Sequence, residues 1–283
     1  RGGILVTIRL IALDLDGTVY RHDGTIAPAD VEAVARARDA GIAVTIATGR
    51  IALGTLPAAR ALGIDLPVVC AEGAVVVHGR TGETITHRSL PSHHVEWLTD
   101  VAGTHQLAQF WFTHDEIHGE EHGRDHVDYI GTWSPSVTLH PRLHTSPVWH
   151  LREKVTMAVA LGSHDDVKAA HARVTDAHDG RLMAVRFPIN AARSTWTLLV
   201  RDAAVDKATG LAEVAAGLGL DARHVAVVGD WINDVPMFRW ARRSFAMGQS
   251  PEHVAEHATD RLTATSATGG GVAEAVRKIL RDR

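Results

Sequence analysis

Cysteine is nearly absent: Cys70 is the single one among 283 residues, so no disulfide can close within the chain. That fits a reducing compartment. No apolar run approaches the roughly 18 residues of a membrane span. The N-terminal apolar stretch is broken by Arg9 and leads straight into Asp14 and Asp16, with no signal-peptide cleavage pattern. The expected location is therefore cytoplasmic. Charge of one sign is not in excess either. With 29 Lys and Arg against 33 Asp and Glu, the formal net charge is -4, which gives no reason to expect nucleic acid or an acidic membrane as partner. Short basic pairs such as Arg242-Arg243 read as solvated faces. Internal repeats and low-complexity linkers are missing too. What remains, 45% hydrophobic and 22% charged, is ordinary globular usage, enough for one large domain or two modest ones.

Apolar strand-like runs alternate with helical stretches. Ile8–Leu15 reads as a buried strand ended by the turn Asp16–Thr18, and Asp23-Gly24 suggests a small hairpin behind it. Pro28–Ala40 reads as a helix, with Pro28 in its first turn and Gly41 at its C-cap. Ile42–Ala47 is a second strand, ending at Thr48-Gly49-Arg50. A helix to about Leu62, a strand at Pro67–Cys70 and a hairpin at Ala74–Thr86 follow. After about residue 200 the pattern resumes: helices at Ala208–Leu218, Val235–Ala241 and Gly271–Leu280, strands at His224–Val228 and Ser244–Met247. This alternation predicts an α/β fold, a Rossmann-like doubly wound parallel sheet with helices on both faces.

The middle differs. Fourteen of the 19 histidines lie between His87 and His178, and five of the seven tryptophans between Trp97 and Trp196. Such a shift predicts an inserted module, giving a core at 1–85 and 201–283 with an α+β insert at 86–200. Within it, His114, His118, His122 and His126 recur every four residues. On a helix they would share one face and could hold a transition metal; a hairpin is equally compatible. The tryptophans read as core anchors or as a stacking surface for a sugar ring.

Four elements at strand or helix ends carry the chemistry. Asp14-Leu15-Asp16-Gly17-Thr18 closes the first strand, and alternate residues there can converge on one point. Two such carboxylates repel unless a hard cation such as Mg²⁺ offsets them, although alone the motif could be a surface turn. Thr48-Gly49-Arg50 offers a hydroxyl and backbone N–H groups to phosphate oxygens, or is a plain turn. Lys207, at a helix start, is a point charge suited to a phosphate and to restraining a carboxylate, or is merely solvated. Asp230 follows a strand in Gly229-Asp230-Trp231-Ile232-Asn233-Asp234, with Asn233 and Asp234 a helical turn further on, as metal-site residues or helix caps.

In order and placement, these four elements resemble the haloacid dehalogenase superfamily, and Ala246-Met247-Gly248 with Gly271–Ala273 resembles its Cof-type branch. The chain departs from that pattern twice. Glu72 stands in Cys70–Ala74 where the family commonly has asparagine, and Gln249 follows Gly248 where asparagine is common.

The resemblance implies a Mg²⁺-dependent phosphatase for a small-molecule phosphomonoester, a sugar phosphate or similar metabolite. It implies Asp14 as the nucleophile forming an aspartyl phosphate, and Asp16 as general acid and base. Asp14, the Asp16 backbone carbonyl and Asp230 would hold the metal. Leu15, Thr48, Gly49, Lys207 and Asn233 would hold the phosphate, with Asp234 orienting that shell and Arg50 either touching phosphate or pairing with the insert. The insert would be a mobile cap, and replacing Trp111 or His118 in it would reorder substrate preference. A phosphomutase sharing the same intermediate, or a non-catalytic binding protein, are the alternative readings.

Overall fold

Leu10–Leu13 is apolar at every position, and such a run is stable only where both faces are covered. It is an interior strand of a five-stranded parallel sheet and is buried throughout. The structure, a computed structural model, describes residues 7–177, 180–189 and 194–282. The order across this sheet is Asp260–Arg261, Arg243–Ala246, Val225–Gly229, Leu10–Leu13, Ala43–Ile46. Leu10 lies opposite Val225 on one side and Ala43 on the other. From Leu10–Leu13 the chain proceeds to one side and returns much later on the other. The carboxyl ends of Leu10–Leu13 and Val225–Gly229 therefore form a topological switch point, where open α/β sheets bind ligands.

Regular pairing of the first strand ends two residues short of the expected Leu15. Asp14 N–H still donates to the Val228 carbonyl at 2.9 Å, and the chain then turns. The hairpin at Asp23-Gly24 forms, with Arg21 N–H donating to the Thr25 carbonyl at 2.9 Å. The helix Pro28–Asp39 packs beside Gly271–Arg281. Asp30, 1% exposed, ties the two together by accepting from the backbone N–H of Gly270 at 2.9 Å and of Ala273 at 2.8 Å. A carboxylate there also complements the positive end of the second helix. Pro67–Cys70 pairs antiparallel with Val75–His78, while Val69 bridges to Ala47 in parallel.

The chain divides into two compact units. One spans Arg1–Gly49, Thr55–Ile85 and Asp206–Arg283; the other spans Arg50–Gly54 and Thr86–Val205. The second unit carries a six-stranded sheet in the order Leu182–Pro188, Trp196–Asp202, Met157–Gly162, Ala108–Phe112, Ile117–Glu120, Val137–His140. Its pairings are antiparallel except the last, which is parallel. Apolar faces of the helices Ser92–Thr104 and His164–Ala177 supply Val95, Leu98, Val167 and Val174 to the core against it.

In this unit one open alternative is decided and one expectation is corrected. The four-residue histidine repeat is not a helix face: Ile117–Glu120 is a strand and Glu121–His126 a 3₁₀ turn, so His118 and His122 belong to different elements. Gly119 explains why, since its strand position lets Phe110 pack directly against the backbone. Among the described residues, the histidines enter no group of three or more side chains close enough to share a metal ion. Trp111 and His118 are only 1% and 5% exposed, so neither is a surface for reading substrate. Trp111 packs on Trp149 at 5.5 Å between ring centroids, and Trp133 on Phe112 at 5.1 Å, which are core contacts. No described helix is long and apolar enough to cross a membrane.

Candidate active site

The first motif places a buried and an exposed carboxylate side by side. Asp14 is 4% exposed, and Asp16 opens to solvent two residues later. Gly17 makes the turn directly after them at φ +82°, and a Cβ there would lie 2.3 Å from Asp230 Oδ2. Only glycine meets both demands. The close approach it allows brings the first strand end against the loop after Val225–Gly229.

Lys207 opens the helix Lys207–Gly217, whose N-cap, Asp206, accepts from Thr209 N–H at 2.8 Å. The side chain is completely buried. Its ammonium donates to Asp14 Oδ1 at 2.7 Å and to Asp234 Oδ1 at 2.6 Å. Burial works against the charged amine, but the carboxylates of Asp14, Asp234 and Glu72 outweigh it and hold the Lys207 pKa well above its ordinary value. The other oxygen of Asp234 accepts from the backbone N–H of Asp230 at 2.8 Å and of Trp231 at 3.0 Å. Asp234 thus shapes the loop that presents Asp230 while anchoring the lysine.

Thr48 is buried at the end of Ala43–Ile46, its N–H donating to Val69 O at 3.0 Å and its carbonyl accepting from Glu72 N–H at 3.1 Å. Gly49 follows it. Asn233 donates from Nδ2 to Glu72 Oε1 at 2.8 Å. Leu15 is buried beneath the first turn. Asp14, Leu15, Asp16, Thr48, Gly49, Lys207, Asp230, Asn233 and Asp234 all belong to the first unit, whereas Arg50 falls with the second.

Carboxylate oxygens of Asp14, Asp230 and Asp234 lie within 4.8 Å of one another, close enough to share a metal ion. The Asp16 carboxylate is outside that trio. Burial pushes the Asp14 carboxyl well above its usual range; Lys207 opposes the shift, and Asp234, Asp230 and Asp16 add to it. Burial, with Asp234 next, pushes Asp230 up to about 7. Both shifts come first from burial, and the neighbouring carboxylates add to it against the lowering effect of Lys207. An all-oxygen donor set under that strain suits a hard divalent cation such as Mg²⁺.

Two residues act here that the motifs alone did not assign. Gln249 Nε2 donates to the Gly17 carbonyl at 2.7 Å and to Asp230 Oδ2 at 3.2 Å, while its Oε1 accepts from Ser266 N–H at 3.1 Å. It pins the carboxylate of Asp230 from behind. Glu72 is the other. The only sequence signal for either was a departure from the family pattern.

The comparisons agree with this geometry. Residues 11–276 match the model of the haloacid dehalogenase-like hydrolases. Pyridoxal phosphate phosphatase YbhA of Escherichia coli is 27% identical over 88% of this chain and 91% of its own length. The 5-amino-6-(5-phospho-D-ribitylamino)uracil phosphatase YitU of Bacillus subtilis is 26% identical over 92% and 94%. A haloacid dehalogenase-like hydrolase from Bacteroides thetaiotaomicron superposes with TM-score 0.81 at 23% identity, covering 96% of this chain and all of that one, which speaks for the fold alone. With the parallel sheet, the switch-point carboxylates and the matched length together, the chain belongs to the haloacid dehalogenase-like hydrolases, as a phosphatase of the Cof type.

Proposed function

We propose that this enzyme hydrolyses a small phosphomonoester, a sugar phosphate or a phosphorylated cofactor, through an aspartyl phosphate on Asp14 with Mg²⁺ bound. The observation that carries the reading is the buried Lys207 ammonium held between Asp14 and Asp234. It fixes the nucleophilic carboxylate and places a positive charge where phosphoryl oxygens would arrive. Asp14 attacks phosphorus, the ester oxygen leaves, and water then cleaves the acyl phosphate. Asp16, exposed beside Asp14, protonates the leaving oxygen and afterwards takes a proton from the water. Thr48, Gly49, Lys207 and Asn233 hold the transferring oxygens, over the turn at Leu15. Asp14, Asp230 and the Asp16 carbonyl would hold Mg²⁺, which supplies charge neutralisation between an anionic nucleophile and an anionic phosphate. Asp234 orients this group. The second unit serves as the cap that reads the leaving group, supported by the placement of these groups in the first unit. Arg50, which falls with the second unit, either touches the phosphate or pairs with the insert.

Phosphate release across a panel of sugar, nucleotide and cofactor phosphates, with Mg²⁺ and then after exhaustive chelation, tests the reading. Turnover should need the metal; full activity after chelation would refute it.

Asp16→Asn should slow turnover of alkyl phosphates by about 10²–10⁴-fold. An aryl phosphate, whose leaving group needs no proton, should lose much less. Equal losses on the two substrates would remove Asp16 from the acid's role.

The raised carboxyls give a second test. Asp14 and Asp230 bind protons more tightly in the folded chain than in the unfolded one. Without metal, stability therefore falls as pH rises from the ordinary carboxylate range through about 7. Mg²⁺ competes with those protons, so its effect on Tm should grow with pH. At one Mg²⁺ concentration, tenfold above the Kd at pH 8, the rise should be roughly 3–5 °C at pH 8 and under about 1 °C at pH 5. An equal rise at both values would show that these carboxyls are not where the metal binds.

A further inference from the structure

Glu72 is an improbable residue where it stands. It is 5% exposed, and its backbone sits at φ 56°, directly after Ala71 at φ 48°. Two consecutive non-glycine residues in the left-handed region persist only where the surroundings hold them. The carboxylate also lies close to the Lys207 pocket, among Asp14 and Asp234, where an incoming phosphate would meet one more negative charge. Strain, burial and repulsion all count against it.

Two hydrogen bonds offset these costs, one to the threonine motif and one to Asn233, and a close approach to Gly49 accompanies them. Glu72 N–H donates to the Thr48 carbonyl at 3.1 Å. Its Oε1 is so close to Gly49 that a Cβ there would lie 2.4 Å away. The same oxygen accepts from Asn233 Nδ2 at 2.8 Å. A carboxylate only accepts, so it discriminates between the two ends of the asparagine amide, which are nearly identical in shape. With Oδ1 turned this way instead, two acceptors would face each other, and an anionic ligand on that side would meet an acceptor in place of a donor.

The geometry points to Glu72 as the positioning residue for Asn233: by binding one N–H of the amide, it holds the NH₂ end beside Thr48 and Gly49 and leaves the second N–H for a phosphate oxygen. The inference rests on the proposed reading of this pocket as a phosphate site. It also accounts for Gly49, because any side chain there would displace the carboxylate.

Charge and orientation make opposite predictions. If Glu72 acted mainly as a negative charge, removing it would tighten oxyanion binding; if it aims the amide, removal weakens binding. Glu72→Gln separates them, since it keeps an acceptor oxygen and loses the charge. The measurement is inhibition by orthovanadate with Mg²⁺, alongside kcat and KM for p-nitrophenyl phosphate, in Glu72→Ala, Glu72→Gln, Asn233→Ala and the Glu72→Ala/Asn233→Ala pair. We expect about tenfold weaker vanadate inhibition in each alanine variant, no more than about twofold further loss in the pair, and Glu72→Gln within about threefold of the parent. The KM effect should exceed the kcat effect in Glu72→Ala. Should that variant fail to fold, Glu72→Leu fills the same volume without a strong acceptor and takes its place. Unchanged or tighter inhibition in the acceptor-less variant, or losses that multiply in the pair, would overturn the inference while the phosphatase reading stands. A parent enzyme that binds no vanadate and releases no phosphate would overturn both.

Discussion

Replacing Asp14 by asparagine should leave a folded protein that releases no phosphate, a loss of about 10⁴-fold or more. The amide cannot form the acyl phosphate, and the role proposed for the neighbouring Asp16 is proton transfer, not attack on phosphorus. Stability should hold or rise. Burial already pushes the Asp14 carboxyl well above its usual range, so the neutral side chain relieves a desolvated charge. Lys207 keeps Asp234 as its partner at 2.6 Å. Phosphate release together with a thermal melt checks both halves. Substantial turnover in a well-folded Asp14→Asn enzyme would mean that Asp14 is not the nucleophile.

Lys207→Met should show the opposite pairing of effects, losing activity and stability together. The ammonium is completely buried and joins Asp14 to Asp234 across 193 and 27 residues of chain. Removing it leaves two buried carboxylates with no counter-charge, and breaking a buried pair from one side costs about 3–5 kcal/mol. For a chain of this size that is on the order of 10 °C in Tm. Adding Asp234→Asn should restore part of the stability, because one of the stranded charges is gone, while activity stays lost. Chemical denaturation of the single and double variants distinguishes this from a general packing defect, which Asp234→Asn would not relieve. A stable, inactive Lys207→Met would show that the ammonium serves the reaction and not the fold.

Much of this site was legible because its parts are local. An apolar four-residue strand followed by Asp-x-Asp-Gly-Thr, a strand ending in Thr-Gly, a helix opening on lysine behind an aspartate cap: each is written in a few neighbouring residues, and the turn chemistry of glycine and aspartate marks strand ends. The strand and helix alternation fixed the sheet type for the same reason, and most expected bounds differ from the observed ones by only a residue or two.

The insert was harder to read. Histidine spacing of four is compatible with a helix, and only the packing of Phe110 against Gly119 decides for a strand. Whether Trp111 lines a surface or a core is likewise invisible in composition. The sequence by itself determined which residue types stand at the strand ends, and hence the fold class and the chemistry. Only the tertiary structure decided who partners whom: Lys207 between Asp14 and Asp234, Gln249 behind Asp230, Glu72 against Asn233. Those bonds join segments from 19 to 193 residues apart. Such pairings depend on where the sheet order and helix packing bring the backbone, and no local propensity encodes them.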